Sequence, residues 1–101
     1  MISTILIDRM ITLSTAHISR YVASILENML DCQEGFDGIT VCAKDNVGYL
    51  IFSTETKQFS IDPEWPKCMR DICRIANDME ATVICLDSDG PEITDLISYQ
   101  W

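Results

Sequence analysis

Two stretches of this chain repeat their apolar residues at helical spacing, and two strand-like runs lie between them, separated only by a short turn. That order leaves few folds open. In the first stretch Ile18, Val22, Ile25, Leu26, Met29 and Leu30 follow Ser14 and Thr15, which offer a helix N-cap. The helix should close near Cys32, ahead of Gln33-Glu34-Gly35-Phe36-Asp37-Gly38, whose two glycines release the backbone. In the second, Trp65, Cys68, Met69, Ile72, Ile75, Ala76 and Met79 follow Asp62-Pro63-Glu64, with Asp62 as cap and Pro63 at the first helical position. Pro66 then falls in the first turn, where a missing N–H costs little.

The runs between the helices are Ile39 to Ala43 and Gly48 to Ser53, and the turn at residues 44–47 makes them a hairpin. Met10 to Leu13 and Ala81 to Leu86 supply two more strands, and Glu55 to Ile61 form a polar connector. The resulting β-α-β-β-α-β order reads as an α+β, ferredoxin-like fold. Right-handed crossovers would put both helices on one face of a four-stranded antiparallel sheet. With 101 residues the apolar groups cannot be divided between two cores, so residues 1–101 are one domain. Residues 1–9 stand outside the scheme as an extra strand or an arm, and residues 87–101 form an acidic loop and tail.

Alternation assigns Ile39, Val41, Leu50 and Phe52 to one sheet face and Thr40, Cys42, Tyr49 and Ile51 to the other. The second set is too apolar for bulk water and calls for a cover. The tail through Ile93, Leu96, Tyr99 and Trp101 is the first choice, a homodimer the second, and a partner protein the third.

No stretch approaches the roughly 18–20 apolar residues of a membrane span. The opening Met-Ile-Ser-Thr-Ile-Leu-Ile-Asp has no basic n-region and no small-residue cleavage site. Five cysteines (32, 42, 68, 73 and 85), an odd number with no CxxC pair, are poor material for a disulfide framework. A cytoplasmic protein with free thiols is expected, with Cys32 as the exposed one.

Sixteen acids against seven bases leave a net charge of -9, which repels phosphate backbones and argues against direct nucleic-acid binding. The last 27 residues hold six acids (Asp78, Glu80, Asp87, Asp89, Glu92 and Asp95) and no base. A second acidic group, Glu27, Asp31, Glu34 and Asp37, follows the exit of the first helix. An acidic surface keeps a protein soluble; it also suits docking on a basic, nucleic-acid-binding surface of another protein.

Catalytic and metal signals are weaker. His17, the lone histidine, falls near the start of the first helix, where it would serve as a base or simply fasten the strand-to-helix turn. Asp87-Ser88-Asp89-Gly90 with Glu92 and Asp95 is rich in oxygen ligands but incomplete as a calcium loop, so it reads as a solvated turn. Cys68 and Cys73 lie about 140° apart around a helix and cannot chelate one ion side by side. Cys42 and Cys85 read as small apolar core residues. Tyr49 and Phe52 lack the basic and glycine context of an RNA-binding sheet. No metal, cofactor or enzymatic activity is expected.

Thr12-Leu13-Ser14-Thr15-Ala16-His17-Ile18, Gly48-Tyr49-Leu50, Ile84-Cys85-Leu86-Asp87-Ser88-Asp89-Gly90 and the final Tyr99-Gln100-Trp101 together resemble an uncharacterised bacterial family. It is a domain of unknown function found on prophages, plasmids and genomic islands, and the resemblance covers roughly residues 10–101. It supplies no catalytic residue. What it implies is a setting: mobile DNA, among genes that counter host defence. The expectation is a non-enzymatic accessory protein whose partner is a host protein with a basic nucleic-acid-binding surface. Its most specific form is an anti-CRISPR or antirestriction inhibitor, and the contacts would come from Asp87, Asp89, Glu92, Asp95, Glu27, Asp31 and Glu34. A homodimeric regulatory domain and a small enzyme pairing His17 with Asp87 or Asp89 are the alternatives.

Overall fold

The computed structural model describes residues 9–32, 34–45, 47–53 and 58–100. The opening segment Met1 to Ile7, residues 55–57 of the connector and the terminal Trp101 lie outside them. The elements are β1 (Met10–Ser14), α1 (Arg20–Cys32), β2 (Ile39–Lys44), β3 (Gly48–Ser53), α2 (Lys67–Asp78) and β4 (Val83–Asp87), with one 3-10 turn at Thr15–His17. Among the described residues no helix is long and apolar enough to cross a membrane.

Both helices begin later than their sequence signals suggest. Ser14 Oγ accepts from the Ala16 N–H at 3.0 Å and closes a single 3-10 turn, after which Ile18 is extended. Ser19 supplies the real cap, its Oγ accepting from Val22 N–H at 3.2 Å, so α1 starts at Arg20 and His17 stands outside it. Asp62 likewise organises a separate turn: its Oδ1 accepts from Glu64 N–H, and its carbonyl from Trp65 N–H. Pro66 disfavours a helical Trp65 and is itself extended, which puts it at the cap rather than inside α2.

The sheet order is β1-β4-β3-β2. β2–β3 and β3–β4 are antiparallel, whereas β1 and β4 run parallel. The β-α-β-β-α-β order is therefore retained, but the sheet is mixed rather than fully antiparallel. The chain returning from α2 enters between β1 and β3, and β4 points the same way as β1.

Register decides which side chains form the core. Ile11, Ile84, Ile51 and Val41 make one row across the four strands, and Leu13, Leu86, Tyr49 and Ala43 make the next. These rows meet Val22, Leu26 and Met29 of α1 and Met69, Ile72 and Ala76 of α2, so both helices cover one face. The opposite face carries Met10, Val83, Phe52 and Thr40, then Thr12, Cys85, Leu50 and Cys42. Tyr49 and Ile51 thus share a face with Ile39 and Val41, and the alternation read from the sequence was one residue out of phase. The cause is the turn: Lys44 pairs with Gly48 around three residues, and Asp45 adopts φ 49 to close it.

The tail does not cover the open face. Pro91 O accepts from Ser14 N–H, Ala16 O accepts from Tyr99 N–H, and Leu96 enters the helix-side core. Residues 91–99 clasp the 14–17 turn, leaving Leu50 and Phe52 half-buried and Met10 54% exposed.

All five cysteines are free; Cys68, Cys73 and Cys85 are buried, and Cys32 and Cys42 exposed. Cys42 is not a core residue because β2 is an edge strand; Cys85, in the same row on the interior strand β4, is buried. Burial pushes the Cys73 thiol up to about 12. A thiol reagent should therefore count two groups in native protein and five after denaturation without reductant, following the two exposed and three buried positions. A denatured count of three or one would reveal a disulfide and contradict this arrangement.

Candidate functional site

The strands bring Ser14, Asp87, Gly48 and Lys44 into a single row at one end of the sheet. Position 48 carries no side chain, and Lys44 reaches across it so that its Nζ donates to Asp87 Oδ2. The Asp87 carboxyl is held below the usual carboxylate range, first by this ammonium and then by the Asp89 backbone N–H at 2.8 Å from Oδ1. The same bond raises the Lys44 amine above its ordinary value. The pair is partly exposed, so solvent screening keeps its contribution to stability small.

Beside this row α1 presents Glu27, whose Oε1 accepts from Tyr49 Oη at 2.7 Å. Burial, and then the Glu27 carboxylate, push the Tyr49 phenol upward, so it remains a proton donor. Thr15, Glu27, Leu30, Ala43, Asp45, Val47, Gly48 and Tyr49 enclose a crevice of about 410 Å³. Thr15 also borders a second crevice of about 340 Å³, lined by Ser14, Ala16, Ser88, Glu92 and Tyr99. Glu92 is steered there by Ser98, whose hydroxyl donates to Oε1 at 2.7 Å. No described residue lining either crevice is basic. The end of the sheet is thus an anionic rim built from Glu27, Asp45, Asp89 and Glu92.

Residues 10–101 match the model of a family of unknown function, the DUF5983 C-terminal domain. The chain belongs to this family. No curated protein and no solved structure matches it.

Within this DUF5983 domain the two acidic groups do not stay separate. Glu27 joins the rim beside Asp87, Asp89 and Glu92, although 60 residues of chain separate it from Asp87. Asp31 is exposed one helical turn further along α1. Glu34 leaves the group altogether. With Asp37, Asp62 and Glu64 it borders a groove of about 510 Å³ on the opposite flank of α1, where Tyr21 is exposed and Trp65 meets Phe36 edge-to-face at 5.1 Å. Asp95 is exposed on the clasping tail.

His17 lies in the turn between β1 and α1 and fastens that turn to the tail. Its Nε2 accepts from Ile93 N–H at 2.9 Å and its Nδ1 donates to Ile97 O at 3.0 Å, so both ring nitrogens are bonded to tail backbone rather than to Asp87 or Asp89. Sequence inspection missed Asp45, Tyr49 and Lys44 as parts of the rim. The only signal available was the Gly48 gap between two strand runs, and it does not specify which lysine spans it.

Proposed function

We propose that the domain works by binding a protein that carries a basic nucleic-acid-binding surface, which it occludes. The observation carrying this reading is the convergence of acids from both ends of the sequence on a rim whose nearest base, Lys44, is already paired with Asp87. A net charge of -9 speeds encounter with a Lys/Arg-lined channel, and the half-buried Leu30 and Val47 in the same crevice offer apolar contact. In its most specific form the domain is an inhibitor of a host nucleic-acid-targeting defence, an anti-CRISPR or antirestriction protein of a mobile element in the bacterial cytoplasm.

The test takes the protein recovered with the tagged domain from a bacterial lysate and measures its affinity from about 50 to about 200 mM salt. Contacts that replace several phosphates lose on the order of tenfold or more over that range. Glu27→Lys and the double change Asp89→Lys with Glu92→Lys should each slow association, and nucleic acid should compete. Asp87 is left intact because reversing it would break the Lys44 pair. Affinity indifferent to salt and to both reversals eliminates charge mimicry.

A second reading, a homodimer closed over the open face, is favoured by one observation. Met10 is exposed and Phe52 and Leu50 half-buried on that face, whose end row is neutralised by the Lys44–Asp87 pair, so two copies meet there without like-charge repulsion.

A further inference from the structure

We propose that His17 is a proton-operated latch that holds the acidic tail against the end of the sheet. The ring is 1% exposed. A backbone N–H can only donate, so the bond from Ile93 requires an unprotonated Nε2, and the proton of the neutral ring sits on Nδ1, facing Ile97 O. Two backbone bonds also clasp the tail, Ser14 N–H to Pro91 O and Tyr99 N–H to Ala16 O, and neither titrates. Placing a second proton on Nε2 turns the acceptor into a donor opposite the Ile93 N–H, and it puts a charge where water does not reach.

No described carboxylate bonds to the ring and offsets that charge. On the tail, Glu92 is exposed and held by Ser98, and Asp95 is exposed. Asp87 at the end of β4 is engaged by Lys44. On the helix side, Arg20 is exposed at the start of α1, and the Cys68 thiol of α2 lies 3.8 Å from Ser19 Oγ. The Tyr99 phenol is raised by burial and by Cys68, so it stays neutral across the acid range. Falling pH therefore opens the 91–99 clasp. Glu92 then leaves the rim, which keeps Glu27, Asp45 and Asp89. The latch stands on its own bonds and does not depend on the function proposed above.

Amide hydrogen exchange reads it directly. At about pH 7.5 and about pH 5, spanning the range in which imidazoles take up a proton, exchange is compared at Ile93 and Tyr99 in the tail and at Ile51 and Ile84 in the sheet, each corrected for its intrinsic rate. Tail protection should fall on the order of tenfold or more at the lower pH while sheet protection holds. In His17→Gln, whose amide donates and accepts without taking up a proton, tail protection should be the same at both values. Tail protection insensitive to pH in the unaltered domain, or an equal loss in His17→Gln, overturns the proposal. If His17→Gln does not fold, the imidazole nitrogen shifts of the unaltered domain replace it. A ring midpoint coinciding with that of the Ile93 amide supports the latch, and a ring that titrates with Ile93 unmoved overturns it.

Discussion

Gly48→Ala is expected to unfold the domain or to lower its stability by about 4 kcal/mol or more, at the top of the range for single substitutions. A Cβ at position 48 would stand 1.6 Å from Leu86 O and 2.7 Å from Leu86 C, and both are backbone atoms of the neighbouring strand. A flexible side chain could move aside; a carbonyl in β4 cannot do so without pulling β4 from β3 and parting the Ile51–Ile84 row. Gly38 provides the comparison. It needs a left-handed backbone, φ +83, but nothing lies within 4 Å of its added Cβ, so Gly38→Ala should cost only about 1 kcal/mol. Urea unfolding of the two variants measures the difference. Equal costs would mean that the strands do not approach as closely as described at the end of the sheet.

The same close approach explains part of what the sequence could and could not reveal. Element order and helix faces were legible because they are local periodicities: the alternating run 48–53 and the stripe from Val22 to Met29 each point to a buried side. Exact helix starts were not, because Ser14 and Ser19 are equally good caps and only the extended Ile18 between them decides. Strand adjacency lies beyond local pattern altogether. That β4 enters beside β1 in parallel is settled by where α2 packs and by the bond from Thr82 N–H to Arg9 O, between residues far apart in the chain. Face assignment failed through a single turn residue. Charge was legible as composition, but the placement of Glu27 and Glu92 in adjoining crevices on either side of Thr15 depends on strand order. The short motifs of the sequence come together in the same way. Gly48 abuts Leu86, the position where Gly90 would carry a Cβ lies 2.6 Å from Leu13 O, and His17 is bonded to the tail, so separate stretches prove to be one structural knot.

Ile51→Ala and Leu50→Ala, neighbours on β3, should differ sharply. Ile51 is fully buried between Val41 and Ile84 beneath the two helices, and its truncation leaves a cavity that close-packed neighbours fill only partly. A loss of about 3 to 4 kcal/mol is expected, within the range for large aliphatic core residues cut to alanine. In a domain of this size that lowers the melting temperature by well over 10 °C, taking roughly 4 °C per kcal/mol as the low end. Leu50 points to the other face, half-buried between Cys42 and Cys85, and gives up less apolar area. Its truncation should cost less than about 1.5 kcal/mol. The phase of the hairpin is thereby tested without a new structure: the alternation read from the sequence puts Leu50 under the helices and Ile51 on the open face, which predicts the reverse order of losses. A large loss at Leu50 would carry further information, because nothing in the described tail packs over that face. Were that loss accompanied by a melting temperature that rises with protein concentration, the cover would be a second copy of the chain, since mass action stabilises only what binds the folded state. A loss independent of concentration would place the cover within one chain instead.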